Sequence, residues 1–272
     1  MRILPIESLD ATGLVRTACT ALGEGPWSYG EEGATENFEA LAEAIGVRDA
    51  HHMVRVNQKH TANIRVATID DGGRGIYYQH IEAPRAFESA SFDFRLGDGI
   101  DGLITNTPGL TLCTTEADCV PVFLLDPVTR SIGMIHSGWR GTAALISKRA
   151  ISLMTSYFGA NPRDIIAVLG PCICKDCYEV GPELVGDFEI FFAPERIEEI
   201  FMPHGDGKYL LDVPSAVRMT LQDCGVREEN ITMPFECTCH GAHFSSYRRD
   251  HIPHDRMLTA IVLAESHDSS MC

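Results

Sequence analysis

Apolar residues are spread unevenly along this chain. Between residues 102 and 135 they come in short runs, GLIT, LTLCT, PVFLLD and SIGMI, separated by turn residues. Such runs predict strands buried on both faces, because a half-wet strand alternates apolar and polar positions instead. After Thr142 the period changes. Leu145/Ile146, Arg149/Ala150, Leu153/Met154 and Tyr157/Phe158 recur every four residues, and three of the four pairs are apolar. That spacing predicts one long amphipathic helix beginning just after HSGWRG (136–141). ENFEALAEAIG (36–46) sets Phe38, Leu41, Ala42 and Ile45 at helical spacing before a glycine stop. IIAVLG (165–170) predicts a strand, PELVGDFEIFF (182–192) a helix, and YLLDVPSAVRMTLQDCG (209–225) a strand end running into a helix closed by Gly225. FSSYRRD (244–250) and RMLTAIVL (256–263) predict closing strands. VRVNQKHTANIRVATI (54–69) carries β-branched residues on both sides of a polar centre, which predicts extended chain entering and leaving a site. DDGGRG (70–75) is a turn cluster, and 76–98 predicts an irregular flap or surface insertion. Strands and helices alternate irregularly and several strands are adjacent, so the pattern predicts an α+β or mixed α/β fold rather than a regular parallel one. No linker, repeat or low-complexity tract divides the chain, which predicts a single domain over 1–272.

Composition narrows what such a fold does. A formal net charge of −16 argues against nonspecific binding to nucleic acid or anionic membranes, which takes basic surfaces. No stretch approaches the ~20 apolar residues of a membrane span. The start, MRILPIESLDATG, has no basic segment followed by a long apolar core. Ten cysteines without a secretion signal predict a reducing, cytoplasmic setting in which thiols act as ligands, nucleophiles or core filler. An anionic small-molecule substrate remains compatible, because arginines are grouped locally at Arg248, Arg249 and Arg256.

Three segments end apolar runs with metal-capable or nucleophilic side chains: Gln58-Lys59-His60, Ala117-Asp118-Cys119 and His136-Ser137-Gly138. Two imidazoles and one thiolate make a three-ligand zinc site with an open fourth position. The same residues equally suit Cys119 as nucleophile with His136 as its base, or a buried thiol with two unrelated histidines. The HSGWRG corner also offers Arg140 and a helix N-terminus at Gly141–Thr142 as anion holders. Adjacent Arg248 and Arg249 point to opposite faces of the expected strand, so one is free to reach an anion while the other pairs with Asp250 or another surface acid. CICKDC (172–177) and CTCH (237–240) resemble halves of a structural zinc site, drawn from Cys172, Cys174, Cys177, Cys237, Cys239 and the closing histidine. Free thiols in loops are the plainer reading. Cys19 and Cys224 read as core, and Cys272 lies in a terminal tail.

DGLITNTPGLTLCTTEADCVPVFLLDP, SIGMIHSGWRGTAALI, LGPCICKDCYEVGPEL and FSSYRRDHIPHDRMLTAIVL closely resemble the YfiH-like, or laccase-domain, family. The resemblance spans roughly residues 12–263. It implies a layered α/β sandwich with mixed sheets, likened to the cysteine-hydrolase domain of cytotoxic necrotizing factor. It implies that the family's metal ligands fall on His60, Cys119 and His136. The implied activity is on purine nucleosides: phosphorolysis of adenosine, inosine and methylthioadenosine, and deamination of adenosine. Zinc is the implied cofactor, and a purine nucleoside and phosphate the implied partners, with Arg140, Arg248, Gly141 and Gln58 around them; monomer and dimer stay open. The family's older description, a copper-dependent polyphenol oxidase, asks for many paired histidines, whereas His51–His52 is the only adjacent pair here. A Cys–His hydrolase acting on cell-wall precursors and a non-catalytic purine-binding protein are also compatible with these motifs. The chain departs from the family pattern at Thr20-Ala21, where an arginine is expected, at GEG (23–25), at Thr61 in place of a glycine, and at His254-Asp255-Arg256, which keeps only the arginine.

Overall fold

The computed structural model describes residues 1–27, 31–71, 99–252 and 256–265. The expected flap at 76–98, His254, Asp255 and Cys272 lie outside the described residues. In chain order the strands are β1 (Ile3–Leu4), β2 (Val15–Thr20), β3 (Met53–Arg55), β4 (Ile64–Val66), β5 (Gly102–Thr105), β6 (Thr111–Glu116) and β7 (Val120–Asp126). They continue with β8 (Ser131–Ser137), β9 (Ile166–Leu169), β10 (Glu179–Val180), β11 (Phe201–His204), β12 (Lys208–Leu211), β13 (Ile231–Thr232) and β14 (Met257–Leu263). The helices are α1 (Glu7–Asp10), α2 (Ala34–Ile45), α3 (Trp139–Ala143), α4 (Ile146–Phe158), α5 (Glu183–Glu189), α6 (Pro194–Ile200), α7 (Val213–Asp223) and α8 (Tyr247–Asp250).

One sheet has the order β1-β2-β14-β6-β3 and a second the order β13-β9-β7-β8-β5-β4, with β10-β12-β11 as a small third. Both large sheets are mixed. β3 runs parallel to β6, β4 to β5 and β13 to β9, while the other pairs are antiparallel.

Side chains explain the layering. Successive residues of a strand point to opposite faces. Leu112, Phe123, Leu125, Met134 and Ile261 meet in the core between the two large sheets. Their neighbours Val122, Leu124 and Ile135 point the other way, against Ile146, Met154 and Val217 of α4 and α7. Cys113, Leu258 and Ala260 cover the outer face of the first sheet with Phe38, Leu41 and Ile45 of α2. The result is helix, sheet, sheet, helix, so the central strands are buried on both sides and read as continuous apolar runs. Each fully buried Leu or Phe in these layers contributes roughly 1.5–3 kcal/mol. No helix among the described residues is long and apolar enough to cross a membrane.

Two expected elements differ. The single long helix from Thr142 is two helices: α3 starts earlier, at Trp139 after Gly138, and Leu145 in a left-handed conformation (φ 58°) separates it from α4. The Leu145 amide donates three residues back to the Thr142 carbonyl (2.9 Å), tightening the turn at the break. FSSYRRD ends in the single helical turn α8, not in a strand. Ser246 starts that turn, its hydroxyl accepting from the Arg249 amide (3.2 Å), and a side-chain cap of this kind overrides a weak strand pattern.

Candidate metal centre and active-site cavity

His60 comes from the loop between β3 and β4, Cys119 from the corner between β6 and β7, and His136 from the end of β8. Pairing of β7 with β8 sets Pro121 opposite His136, which brings the second and third residues together. The ligand atoms of His60, Cys119 and His136 all lie within 4.8 Å of one another. The two imidazoles meet edge to face, with ring centroids 4.9 Å apart.

One buried carboxylate organises the trio. Asp101, fully buried at the start of β5, accepts from His136 Nδ1 (2.8 Å) and from the amides of Lys59 (3.2 Å), His60 (3.0 Å) and Thr61 (2.6 Å). It also accepts from the Thr61 hydroxyl (2.6 Å). A carboxylate taken out of water is costly unless its lone pairs are filled, and here they are. Burial pushes Asp101 toward protonation, but His136 and Thr61 outweigh it and hold the carboxyl below its ordinary range. His60 sits at φ 59°, a conformation disfavoured for a residue with a β-carbon. The three amides on Asp101 hold that loop in place. Gly138 is needed for a different reason: a β-carbon there would lie 2.9 Å from both Cys119 Sγ and His60 Cδ2. At Gly141 it would meet the Thr61 carbonyl at 2.9 Å, so this glycine lets α3 approach the His60 loop.

Burial alone would raise the Cys119 thiol. The charge and hydrogen bond of His136, joined by His60, bring it down instead. Burial likewise disfavours charge on His136, but Cys119 and Asp101 turn the balance and raise its pKa. Asp101 on Nδ1 leaves Nε2 of His136 facing the thiol, the orientation a metal-ligating histidine takes when a carboxylate backs its other nitrogen. Two imidazoles and a thiol fit zinc or copper, with a fourth position open.

His60 and Cys119 open into a cavity of about 490 Å³ also lined by Trp139, Arg140, Tyr178, Tyr247, Arg248 and Arg256, with His136 buried behind them. A larger cavity of about 730 Å³, with Arg16, Arg48, His52 and Arg130 in its walls, contains none of the trio. The smaller one is therefore the candidate site.

Residues 30–264 match the family described as multi-copper polyphenol oxidoreductase laccase. The chain belongs to this family. Its relatives carry different names. A purine nucleoside phosphorylase of Deinococcus radiodurans is 33% identical over 228 residues, 84% of this chain and 76% of that one. Adenosine deaminase RL5, from an unknown prokaryotic organism, is 34% identical over 223 residues, 81% and 78% of the two chains. The crystal structure of Bacillus licheniformis hypothetical protein YfiH matches with a TM-score of 0.80 at 28% identity, covering 96% of each chain.

In this laccase-family chain the remaining expected site residues are divided. Arg140 is exposed at the cavity rim, its guanidinium 4.3 Å from the Trp139 ring centroid. Arg248 lies over Tyr178 and donates to the carbonyls of Cys177 (3.4 Å) and Glu179 (3.1 Å). Arg249 instead ties down its own loop through the Thr238 (2.6 Å) and Gly241 (2.9 Å) carbonyls and pairs with Asp250 (2.6 Å). Gln58 spends its amide on the Thr115 backbone, donating to the carbonyl (2.8 Å) and accepting from the amide (2.9 Å), and does not line the cavity. Gly141 is buried inside α3, and the helix start at the site is a five-residue turn rather than the head of a long helix.

Sequence reasoning missed Asp101 and the role of Asp118. The latter, at φ 87°, accepts from the hydroxyls of Thr238 (2.6 Å) and Ser246 (2.7 Å) and from the Arg248 amide (2.6 Å). It fastens the corner carrying Cys119 to the segment carrying Arg248. The available signal for Asp101 is an acid directly ahead of the short run GLIT, which forms a fully buried strand, a position that demands partners once buried. Tyr178 and Tyr247 have no sequence pattern that marks them as cavity residues. The loops at CICKDC and CTCH do meet, but through Cys174, Cys177, Cys237 and His240. Cys172 is buried in the hydrophobic core, and Cys239 stands outside the cluster. Cys19 is core as expected, whereas Cys224 is only partly buried.

Proposed function

We propose that this chain is a zinc-dependent purine nucleoside enzyme. It cleaves adenosine, inosine and methylthioadenosine with phosphate to free base and sugar 1-phosphate, and it deaminates adenosine. The observation that carries this reading is a two-imidazole, one-thiol trio of which His60 and Cys119 face a cavity that pairs cationic with aromatic side chains. The names of the relatives point to the same substrates. His60, Cys119 and His136 hold the metal, which when bound supplies a Lewis acid at an open coordination position. Asp101 keeps the proton of His136 on Nδ1 and its Nε2 free. Arg140, Arg248 and Arg256 hold phosphate by charge-assisted hydrogen bonds, and Trp139, Tyr178 or Tyr247 present faces on which a purine stacks. The unpaired thiols of the described cysteines suit a cytoplasmic setting.

Oxidase chemistry is less well served. Delivering several electrons to oxygen takes several coppers, and among the described residues the other metal-capable cluster has one histidine and three cysteines. A second reading does rest on an observation. Cys119, His136 and Asp101 line up as nucleophile, base and orienting carboxylate, the arrangement of a cysteine hydrolase. It leaves the strained placement of His60 without a purpose, and the metal reading explains that placement.

The deciding experiment is chromatography of products from adenosine and inosine with and without phosphate. Free base formed only with phosphate, and inosine formed from adenosine, are the expected results. Absence of turnover on either nucleoside by zinc-loaded protein would overturn the proposal. Activity that survives chelation, with covalent labelling of Cys119, would favour the hydrolase.

A further inference from the structure

Beside the cavity two loops meet through a ligand set that the proposed chemistry leaves unused. His240 Nδ1 lies 3.4 Å from Cys177 Sγ and 3.8 Å from Cys174 Sγ. The ligand atoms of these residues and of Cys237 all fall within 4.8 Å of one another. Zinc bonds of about 2.3 Å to sulfur and about 2.0 Å to nitrogen, set at tetrahedral angles, place neighbouring sulfur and nitrogen about 3.5 Å apart. The side chains therefore already stand at the spacing of a shared ion. We propose that Cys174, Cys177, Cys237 and His240 bind one structural zinc ion, separate from the His60, Cys119 and His136 centre.

The backbone supports this independently. Cys174 caps and Cys177 ends a 3-10 turn (Lys175–Cys177), and Cys237 and His240 repeat the same two-residue gap on the facing loop. Cys237 Sγ accepts from the Cys174 amide at 3.3 Å, which ties the two loops together at the cluster. Four protein donors close the coordination sphere, which is the mark of a structural rather than a catalytic zinc. A disulfide would join two of the sulfurs and give the third, with the imidazole, no role.

The position assigns the ion a task. Backbone bonds already zip the loops, Thr238 amide to Cys172 carbonyl (3.0 Å) and Cys172 amide to Glu236 carbonyl (3.3 Å). Arg248 reaches the Cys177 and Glu179 carbonyls, and Asp118, next to Cys119, is held by Thr238. The second ion fastens the cavity wall that carries Tyr178 and Arg248.

Metal analysis tests this whatever reaction the enzyme performs. Protein purified without chelator should hold two zinc ions per chain by native mass spectrometry. The variant H60A/C119A/H136A should keep one, and cobalt added to it should give the intense absorption of a tetrahedral, thiolate-rich site. C174S/C177S should lose one ion and keep the other. A triple variant that binds neither zinc nor cobalt would overturn the proposal. So would a Cys174–Cys177 disulfide found in protein purified under reducing, air-free conditions. If C174S/C177S fails to fold, the triple variant still decides the matter.

Discussion

His60, Cys119 and His136 are brought together by three separate elements, while Cys174, Cys177, Cys237 and His240 come as two spaced pairs from two loops. The first set is backed by a buried carboxylate and keeps a position open. The second has one backbone amide, that of Cys174, on Cys237 Sγ, offers four protein donors and includes an exposed histidine. An open centre must be stiffened from outside, because the metal itself supplies only three links to the protein. A closed centre stiffens its own loops. On the proposed function and the proposed second ion, the difference separates a site for turnover from one that holds a wall, and substitutions at each should behave accordingly.

The largest effect belongs to Cys119→Ala. Removing the thiolate should cost the trio its ion and lower kcat/KM on nucleosides by about 10³-fold, several kcal/mol of lost transition-state stabilisation. The ion at Cys174, Cys177, Cys237 and His240 should stay. Parallel metal analysis and kinetics check this, and a variant that keeps full turnover without the ion would erase the contrast between the centres.

Asp101→Asn comes next. Asparagine fills the same space but brings an amide into a pocket of donors, and it no longer fixes the His136 proton on Nδ1. Loss of a backing carboxylate of this kind costs about 10–100-fold in metal affinity or activity. Competition with a zinc chelator should show that loss at the trio and none at the second cluster. An equal loss at both would mean that Asp101 supports the fold at large rather than one centre.

The two centres were not equally legible in the sequence. The C-x2-C pair Cys174/Cys177 stands out by spacing alone, although free thiols are its plainer reading in the sequence, and the cluster pairs it with Cys237 and His240 rather than with Cys237 and Cys239. His60, Cys119 and His136 have no such spacing, because strand pairing and not local chain geometry brings them together. Only their shared position at the ends of apolar runs, and the family motifs, marked them. The central strands were legible because they are buried on both faces. Asp101 was not, since a burial pattern does not say which acid finds partners across the sheet. The break at Leu145 and the turn at Tyr247–Asp250 were hidden for another reason: both depend on how one residue closes a helix turn, and the apolar period carries no trace of that.

Gly138→Ala should act through space alone. Its β-carbon would stand 2.9 Å from Cys119 Sγ and His60 Cδ2, and the two side chains must give way. Overpacking of this sort costs roughly 1–3 kcal/mol. The lower end is expected here, because both neighbours are side-chain atoms able to shift, so affinity for the trio's zinc should fall by about tenfold. Isothermal titration against the second cluster as an internal reference measures it. Unchanged affinity would show that the glycine serves the turn and not the ligands.

The smallest effect concerns the buried surroundings of the trio. Glu116, at the end of β6, is fully buried, accepts from the Thr259 hydroxyl (2.9 Å) through Oε2, and leaves Oε1 without a hydrogen-bond partner. Burial raises its pKa from 4.5 to about 7. Between those values the folded chain keeps a proton that the unfolded chain has released, so stability falls as pH rises through the window. Below pH 4.5 both states are protonated, and above about 7 both are ionised, so the slope vanishes at each end. Gln imitates the protonated acid. Glu116→Gln should therefore gain on the parent protein by up to about 1 kcal/mol between pH 5 and 6, the limiting slope for one proton. Beside the second cluster, Glu236→Gln breaks a partly exposed pair with His243 and should change stability by less than about 1 kcal/mol. Urea titrations of both variants at several pH values compare the two surroundings. A pH-independent gap for Glu116→Gln would mean that this carboxyl is solvated or charge-paired in the folded protein, and the contrast in burial around the two centres would not extend to their acids.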